Sequence, residues 1–160
     1  MNIIPKSLQY GWTSMQFDVA LLRNIVAKQI AGNWKYALGA KIPLDLATIP
    51  IAGETDCSGE VRYLIHRCAG VDIPDGSANQ HEWVRANGFK ASSIEAGRLQ
   101  DGGVRVAFLT PADGGGIGHV ALIMNGATFE SHGGKGPDTR PWTGSGWQAK
   151  AHVYVLQPPR

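Results

Sequence analysis

The sequence predicts an α+β fold, with N-terminal helices packed on a small antiparallel sheet. Helical periodicity fills the first half of the chain and strand-like runs fill the second, the segregated order of that class. Val61, Leu64, Ile65 and Cys68 recur at spacings of three and four, the stripe of a helix lying on a core. Val104 to Leu109, His119 to Met124 and Ala151 to Leu156 are short apolar runs of strand length. Asn125-Gly126 joins the second of these to Ala127 through Ser131, a strong tight-hairpin signal.

The 160 residues suffice for one domain with a sizeable core, so the expectation is a single catalytic-sized unit over 1–160 with an irregular arm at 1–12. A net charge of +2 without a Lys/Arg run does not suggest nucleic-acid binding. Glycine is frequent, 21 residues, so the second half should be rich in turns. The first residues, MNIIPKSLQYGW, carry no basic start followed by a long apolar run, and no stretch has the length of a membrane span. The chain is expected to be made in the cytoplasm without a secretory signal.

In order, Thr13 and Gln16 have capping-box spacing, and a helix is expected from about Ser14 to Ile30. Its buried face should be Phe17, Ala20, Leu21, Ile25 and Ile30. Trp34 to Gly39 reads as extended. Residues 40–54 carry Pro43, Pro50 and Gly53 and read as surface loop. Asp56 caps the helix that starts at Cys57, and Gly70 ends it. Ser77 and Gln80 repeat the capping-box spacing before a short helix to about Ala86, closed by Asn87-Gly88.

Cys57 stands at the first turn of its helix, facing free N–H groups and the positive end of the dipole. Both favour thiolate, the nucleophilic form. The only other cysteine, Cys68, lies about 16 Å along the same helix, too far for a disulfide. No Cys/His cluster has zinc-ligand spacing, so no metal or cofactor is expected. Glu60 shares a face with Cys57, where its charge would oppose a thiolate unless Arg62 or Arg105 pairs with it.

A cysteine nucleophile needs an imidazole in reach and a polar group to orient that imidazole. His66 is about half a turn out of phase with Cys57. His81 lies in a polar helix and reads as surface. His119 opens an apolar strand directly after the loop Asp113-Gly114-Gly115-Gly116-Ile117-Gly118. His132 ends the partner strand, near opposite it across the hairpin, where cross-strand side chains stand about 5 Å apart. His152, at the start of the last strand, is a reserve base.

Three segments together carry a resemblance: Asp56-Cys57-Ser58-Gly59, Gly118-His119-Val120-Ala121-Leu122-Ile123, and Glu130-Ser131-His132-Gly133-Gly134. They resemble the NlpC/P60 cysteine peptidases, papain-like hydrolases of bacterial cell-wall peptides. Tyr36-Ala37-Leu38-Gly39, Val71-Asp72-Ile73-Pro74 and Asp101-Gly102-Gly103-Val104 agree in order and spacing, from about Gln29 to Pro141. The resemblance implies a papain-like fold. It implies Cys57 as nucleophile, His119 as general base and acid, and His132 as the orienting third member. It implies Tyr36, Asp56, Ser58 and Gly118 around the substrate. The implied reaction is amide hydrolysis through a thioester. The implied substrate is the peptidoglycan stem peptide, for example at the D-glutamyl to diamino acid bond. The absent signal and compact length are similar to type VI secretion amidase effectors or phage wall hydrolases. Delivery to the periplasm or wall by a non-Sec route is then expected, with an immunity or inhibitor protein as cognate partner and no nucleic acid or membrane partner.

Two other readings share the residues. A papain-like enzyme acting on another acyl group should carry an apolar membrane-facing segment, and none is longer than a strand. A non-catalytic module binding wall peptides or a partner would leave Cys57 inert, and Glu60 is the residue that favours it. Trp142 and Trp147 either stack on sugar or pack over a sheet edge.

Overall fold

The computed structural model describes residues 6–7 and 12–160, with side chains from Thr13 onward. The expected arm at 1–12 lies mostly outside the described residues. Strands β1 (Lys6–Ser7) and β2 (Trp12–Thr13) pair there, before helix α1 (Val19–Ala31). Strands β3 (Asn33–Tyr36) and β4 (Ala52–Thr55) form a small parallel pair. Helices α2 (Cys57–Ala69) and α3 (Ser77–Ala86) follow, then β5 (Lys90–Ser92). A 3₁₀ turn (Glu95–Arg98) leads to β6 (Val104–Leu109), β7 (His119–Met124), β8 (Ala127–His132) and β9 (Gly136–Asp138). A second 3₁₀ turn (Gly146–Lys150) precedes β10 (His152–Gln157). The main sheet is antiparallel with order β5-β10-β6-β7-β8-β9, so the last strand lies inside it.

Both faces of this sheet are covered, which is why β6 and β7 read as mostly apolar runs, broken in β6 by the buried Arg105, and not as alternating ones. On one face, Val106, Phe108, Val120, Leu122 and Phe129 share the main core with Val61, Leu64 and Ile65 of α2 and Leu22, Ile25 and Val26 of α1. On the other, Ala107, Ile123, Ala151 and Val153 pack with Trp142, and Trp147 lies against them. Asn125 (φ 50°) and Gly126 (φ 77°) make the two-residue hairpin turn with positive φ at both positions, as the Asn-Gly pair predicts.

Helix α1 starts later than the Thr13/Gln16 spacing suggests. Thr13 is already paired with Lys6, and its hydroxyl donates to the Asn87 carbonyl. Met15 N–H donates to the Leu156 carbonyl, which keeps the chain extended. Asp18 is the cap, accepting from Leu21 N–H, and the buried stripe shifts to Leu22, Ile25, Val26 and Gln29, leaving Ala20 and Ile30 exposed. The expected loop 40–54 ends in a strand, because the Trp34 indole donates to the Pro50 carbonyl and holds the two segments side by side. Gly53 is required there: a Cβ would stand 2.6 Å from the Trp34 ring.

Helix α2 matches its sequence pattern at both ends, from the Asp56 cap to Gly70 in the left-handed region. Helix α3 spans the expected residues, but without a capping box. Gly76 occupies the cap position, and Gln80 turns inward to donate to the Ser58 and Pro74 carbonyls. That bond ties α3 to the first turn of α2. His81 is not a free surface residue: its ring stacks on Phe108 at 4.7 Å, and its Nε2 bonds the Tyr154 hydroxyl. No helix among the described residues is long and apolar enough to cross a membrane.

Candidate active site

Cys57 is the first residue of α2 and only 7% exposed. Asp56 fixes that helix tip. One carboxylate oxygen accepts from Gly59 N–H (2.7 Å) and the Ser58 hydroxyl (3.1 Å), and the other accepts from Gly39 N–H (3.0 Å). Asp56 therefore fastens the segment after β3, near Tyr36, onto the helix that Cys57 begins. Ser58 is turned inward, its hydroxyl on Asp56 and its carbonyl on Gln80.

Burial pushes the Cys57 thiol up to about 11, and the Asp56 charge adds to this. The N–H groups of Val120, Ser58 and Cys57 itself act the other way and are outweighed. The dipole argument from sequence is thus right in sign and too small: the resting group is a thiol. Helix α2 packs against β7, the strand that His119 opens.

His119 Nε2 lies 2.8 Å from Glu130 Oε1. Glu130 is fully buried, yet it is ionised. Burial alone would raise its pKa, but hydrogen bonds from His119, Arg140 and Thr128 bring it down to about 2. Arg140 reaches both oxygens, Nε to Oε2 and Nη2 to Oε1. A carboxylate only accepts, so His119 must donate from Nε2, and Nδ1 is left as the basic nitrogen. The Trp147 ring stands edge-on to the imidazole at 4.8 Å and in turn meets Trp142 at 5.9 Å. The two tryptophans thus pack over the sheet, and Trp142 is buried with its indole N–H on the Ile94 carbonyl.

His132 makes no hydrogen bond to His119. Its Nε2 pairs with Asp138 (2.9 Å) and its Nδ1 with the Gly133 carbonyl. The hairpin register runs through Leu122 and Phe129, which brings the two histidines level on one face, as the sequence suggests. Glu130, two residues back on that face, makes the contact expected of His132. Period-two alternation places Glu130 there, so strand spacing could have found it. Arg140 leaves no comparable trace in the sequence, and Trp147, expected to stack on sugar or pack over a sheet edge, lies against His119.

A pocket of about 450 Å³ opens here, lined by Tyr36, Ile117, Gly118, His119, His132, Arg140 and Trp147 among others. Cys57 is not one of its walls, but Tyr36 is coupled to it: burial, then the Cys57 and Asp56 charges, raise the phenol's pKa. Gly118 admits no side chain, since a Cβ would lie 2.7 Å from Ser77 Oγ and 3.0 Å from the Leu109 carbonyl. A larger groove of about 720 Å³, between residues 28–33 and 49–51, has no cysteine, histidine or carboxylate in its lining.

Glu60 does not pair with Arg62 or Arg105. It is buried against Gln29, whose Nε2 donates to it at 3.0 Å, and burial raises its pKa to about 8. Arg62 goes to the Ile73 carbonyl and Asp75, and Arg105 to Asp101. At neutral pH Glu60 is mostly uncharged and does not oppose a Cys57 thiolate. Both cysteines are free and buried. Among the described residues no group of three or more His, Cys, Asp or Glu could hold a metal.

The model described as NlpC/P60 family matches residues 33–155, a span that holds every residue of this site. No curated protein matches the chain.

Proposed function

The chain belongs to the NlpC/P60 family, and from that premise we propose that it is a cysteine hydrolase cutting amide bonds in peptidoglycan stem peptides. The family supports cysteine peptidase or amidase activity on the wall. The observation that carries the residue roles is the buried Glu130 carboxylate, which commits His119 to an Nε2–H tautomer beside the cysteine-bearing helix tip.

Nδ1 of His119 takes the Sγ proton as the sulfur attacks the amide carbon. The resting thiol fits this order, with the thiolate made at the moment of attack. The oxyanion forms at the start of α2, where the Cys57 N–H is unspent by the helix and the Tyr36 hydroxyl lies near. Collapse breaks the C–N bond, and the leaving nitrogen takes the proton from His119. Water, deprotonated by His119, then attacks the thioester and returns the thiol. Through both steps Glu130 holds the imidazole and balances its positive form, while Trp147 shields that hydrogen bond from water. Glu60, a neutral buried acid, gives no support to an inert Cys57.

Purified peptidoglycan, digested by the wild type and by Cys57→Ala, tests the reading, with muropeptides identified by mass spectrometry. Fragments from the wild type alone support it and name the bond, with D-glutamyl to diamino acid expected. No fragments from folded protein, across walls of both major cross-link chemistries, would overturn it. For delivery we propose a non-Sec route, as a secretion effector with an immunity partner. Toxicity on export of the chain to the periplasm, and none on cytoplasmic expression, is the expected result. Equal harmlessness in both compartments would sink it.

A further inference from the structure

We infer that Arg140 is the specificity residue of the pocket, binding a free carboxylate of the substrate residue next to the scissile amide. The inference rests on the hydrolase reading above and deepens it.

Arg140 lies in loop 139–140 after β9, pinned by its main chain as well as its side chain. Its N–H donates to Thr128 Oγ1, and its carbonyl accepts from Thr128 N–H. The guanidinium uses one edge on Glu130, through Nε and Nη2. Nη1 has no hydrogen-bond partner among the described residues, while the side chain is 36% exposed and lines the pocket. Guanidinium presents five N–H donors in a rigid fork, and a fork held on one edge offers the other at little entropic cost. No lysine or other arginine lines the pocket. The remaining wall residues are aromatic, aliphatic, glycine or histidine, and His132 is occupied on both nitrogens. An anion entering here therefore meets one donor fork.

The position fixes what the fork reads. Oε1 of Glu130 accepts from both His119 Nε2 and Arg140 Nη2. The guanidinium and the catalytic imidazole are then within about 6 Å of each other. A group bound at Nη1, on the far side of the fork, sits within one or two residues of the reacting carbonyl, given about 3.8 Å between successive Cα atoms. Glu130 cancels the Arg140 charge in the resting state. When His119 takes the Cys57 proton, the His119–Glu130–Arg140 cluster becomes net positive. A substrate carboxylate at Arg140 gains attraction during bond making, not only on docking, so the effect reaches kcat as well as KM.

The test compares a stem peptide carrying free α-carboxylates with the same peptide carrying carboxamides. Both are offered to the wild type, Arg140→Gln and Arg140→Lys, with kcat and KM determined. Calorimetric binding to the Cys57→Ala protein runs in parallel. A charged hydrogen bond of this kind gives the wild type about a 10- to 100-fold preference for the acid. Arg140→Gln should erase that preference, and Arg140→Lys should keep part of it. If Arg140 serves only to anchor Glu130, the Gln variant slows both peptides alike and the acid preference stays, which overturns the inference. Equal wild-type rates on both peptides also overturn it. If the wild type cleaves neither peptide, the hydrolase reading fails, and acid-selective binding to Cys57→Ala still decides the role of Arg140. Absence of such binding then counts against it.

Discussion

At Glu130 the chain holds a carboxylate that has lost contact with water and stays ionised because His119, Arg140 and Thr128 all donate to it. An amide in its place presents the same shape without the charge, and under the proposed mechanism it weakens the hold on the imidazolium formed in each step. Glu130→Gln should lower kcat by about 10²- to 10⁴-fold with KM little changed. His132→Ala should leave kcat within about tenfold, because its partners are Asp138 and a carbonyl. A reversed pattern, with His132→Ala the more damaging, would return the orienting role to His132. The sequence made Cys57 and His119 legible because each sits at the tip of a strongly patterned element. The third residue was harder: the family resemblance points to His132, whereas hydrogen-bond reach in the folded chain selects Glu130. The acidity of Cys57 was illegible for another reason. A helix start is local, but desolvation is set by the strands that close over it.

Two side chains hold the N-terminal end of helix α2: Gln80, which donates to the Ser58 carbonyl, and Asp56. Asp56 accepts from Gly59 N–H, the Ser58 hydroxyl and Gly39 N–H, so it both caps the helix and ties it to the segment that carries Tyr36. Asp56→Ala leaves all three of these donors without their acceptor inside a buried tip. The expected cost is about 1–3 kcal/mol, read as a fall in Tm of roughly 3–10 °C. Activity should fall further than the lost stability explains, because Cys57 and Tyr36 lose their common anchor. A variant as stable as wild type would show that the cap is dispensable. This helix, the hairpin and the three apolar strands were readable because their signals are local: a cap, a glycine, an Asn-Gly turn, a run. The start of α1 was misread because Thr13 is drawn into strand pairing, and β4 was missed because Trp34 creates it from a distance. The contacts of Thr13 with Asn87, Met15 with Leu156 and Trp34 with Pro50 lie outside any short window of sequence.

Across the whole molecule, pH acts on stability through Glu60, the carboxyl beneath α2. Its folded pKa of about 8 lies above the ordinary carboxylate value. The folded form therefore holds a proton that the unfolded chain has released. That contribution is complete below pH ~4.5 and is lost as pH rises to about 8, on the order of a few kcal/mol. Glu130 acts oppositely, with its contribution present above pH ~4.5 and lost as pH falls towards 2. Urea midpoints should fall for the wild type between pH 5 and 8 relative to Glu60→Gln, which has no proton to lose. Parallel curves for the two proteins would refute a neutral Glu60. The α+β class follows from element order alone, but strand order does not, since β10 enters between β5 and β6. That placement gives the molecule a clock. A chain that stops short of residue 152 leaves β5 apart from the four strands β6 to β9, with no strand to join them, and Trp147, which roofs His119, belongs to the turn that leads into β10. During synthesis Cys57 emerges early, but the sheet that carries His119 and Glu130 gains its joining strand only with the last residues, so the pieces of this site exist well before the fold that holds them is closed.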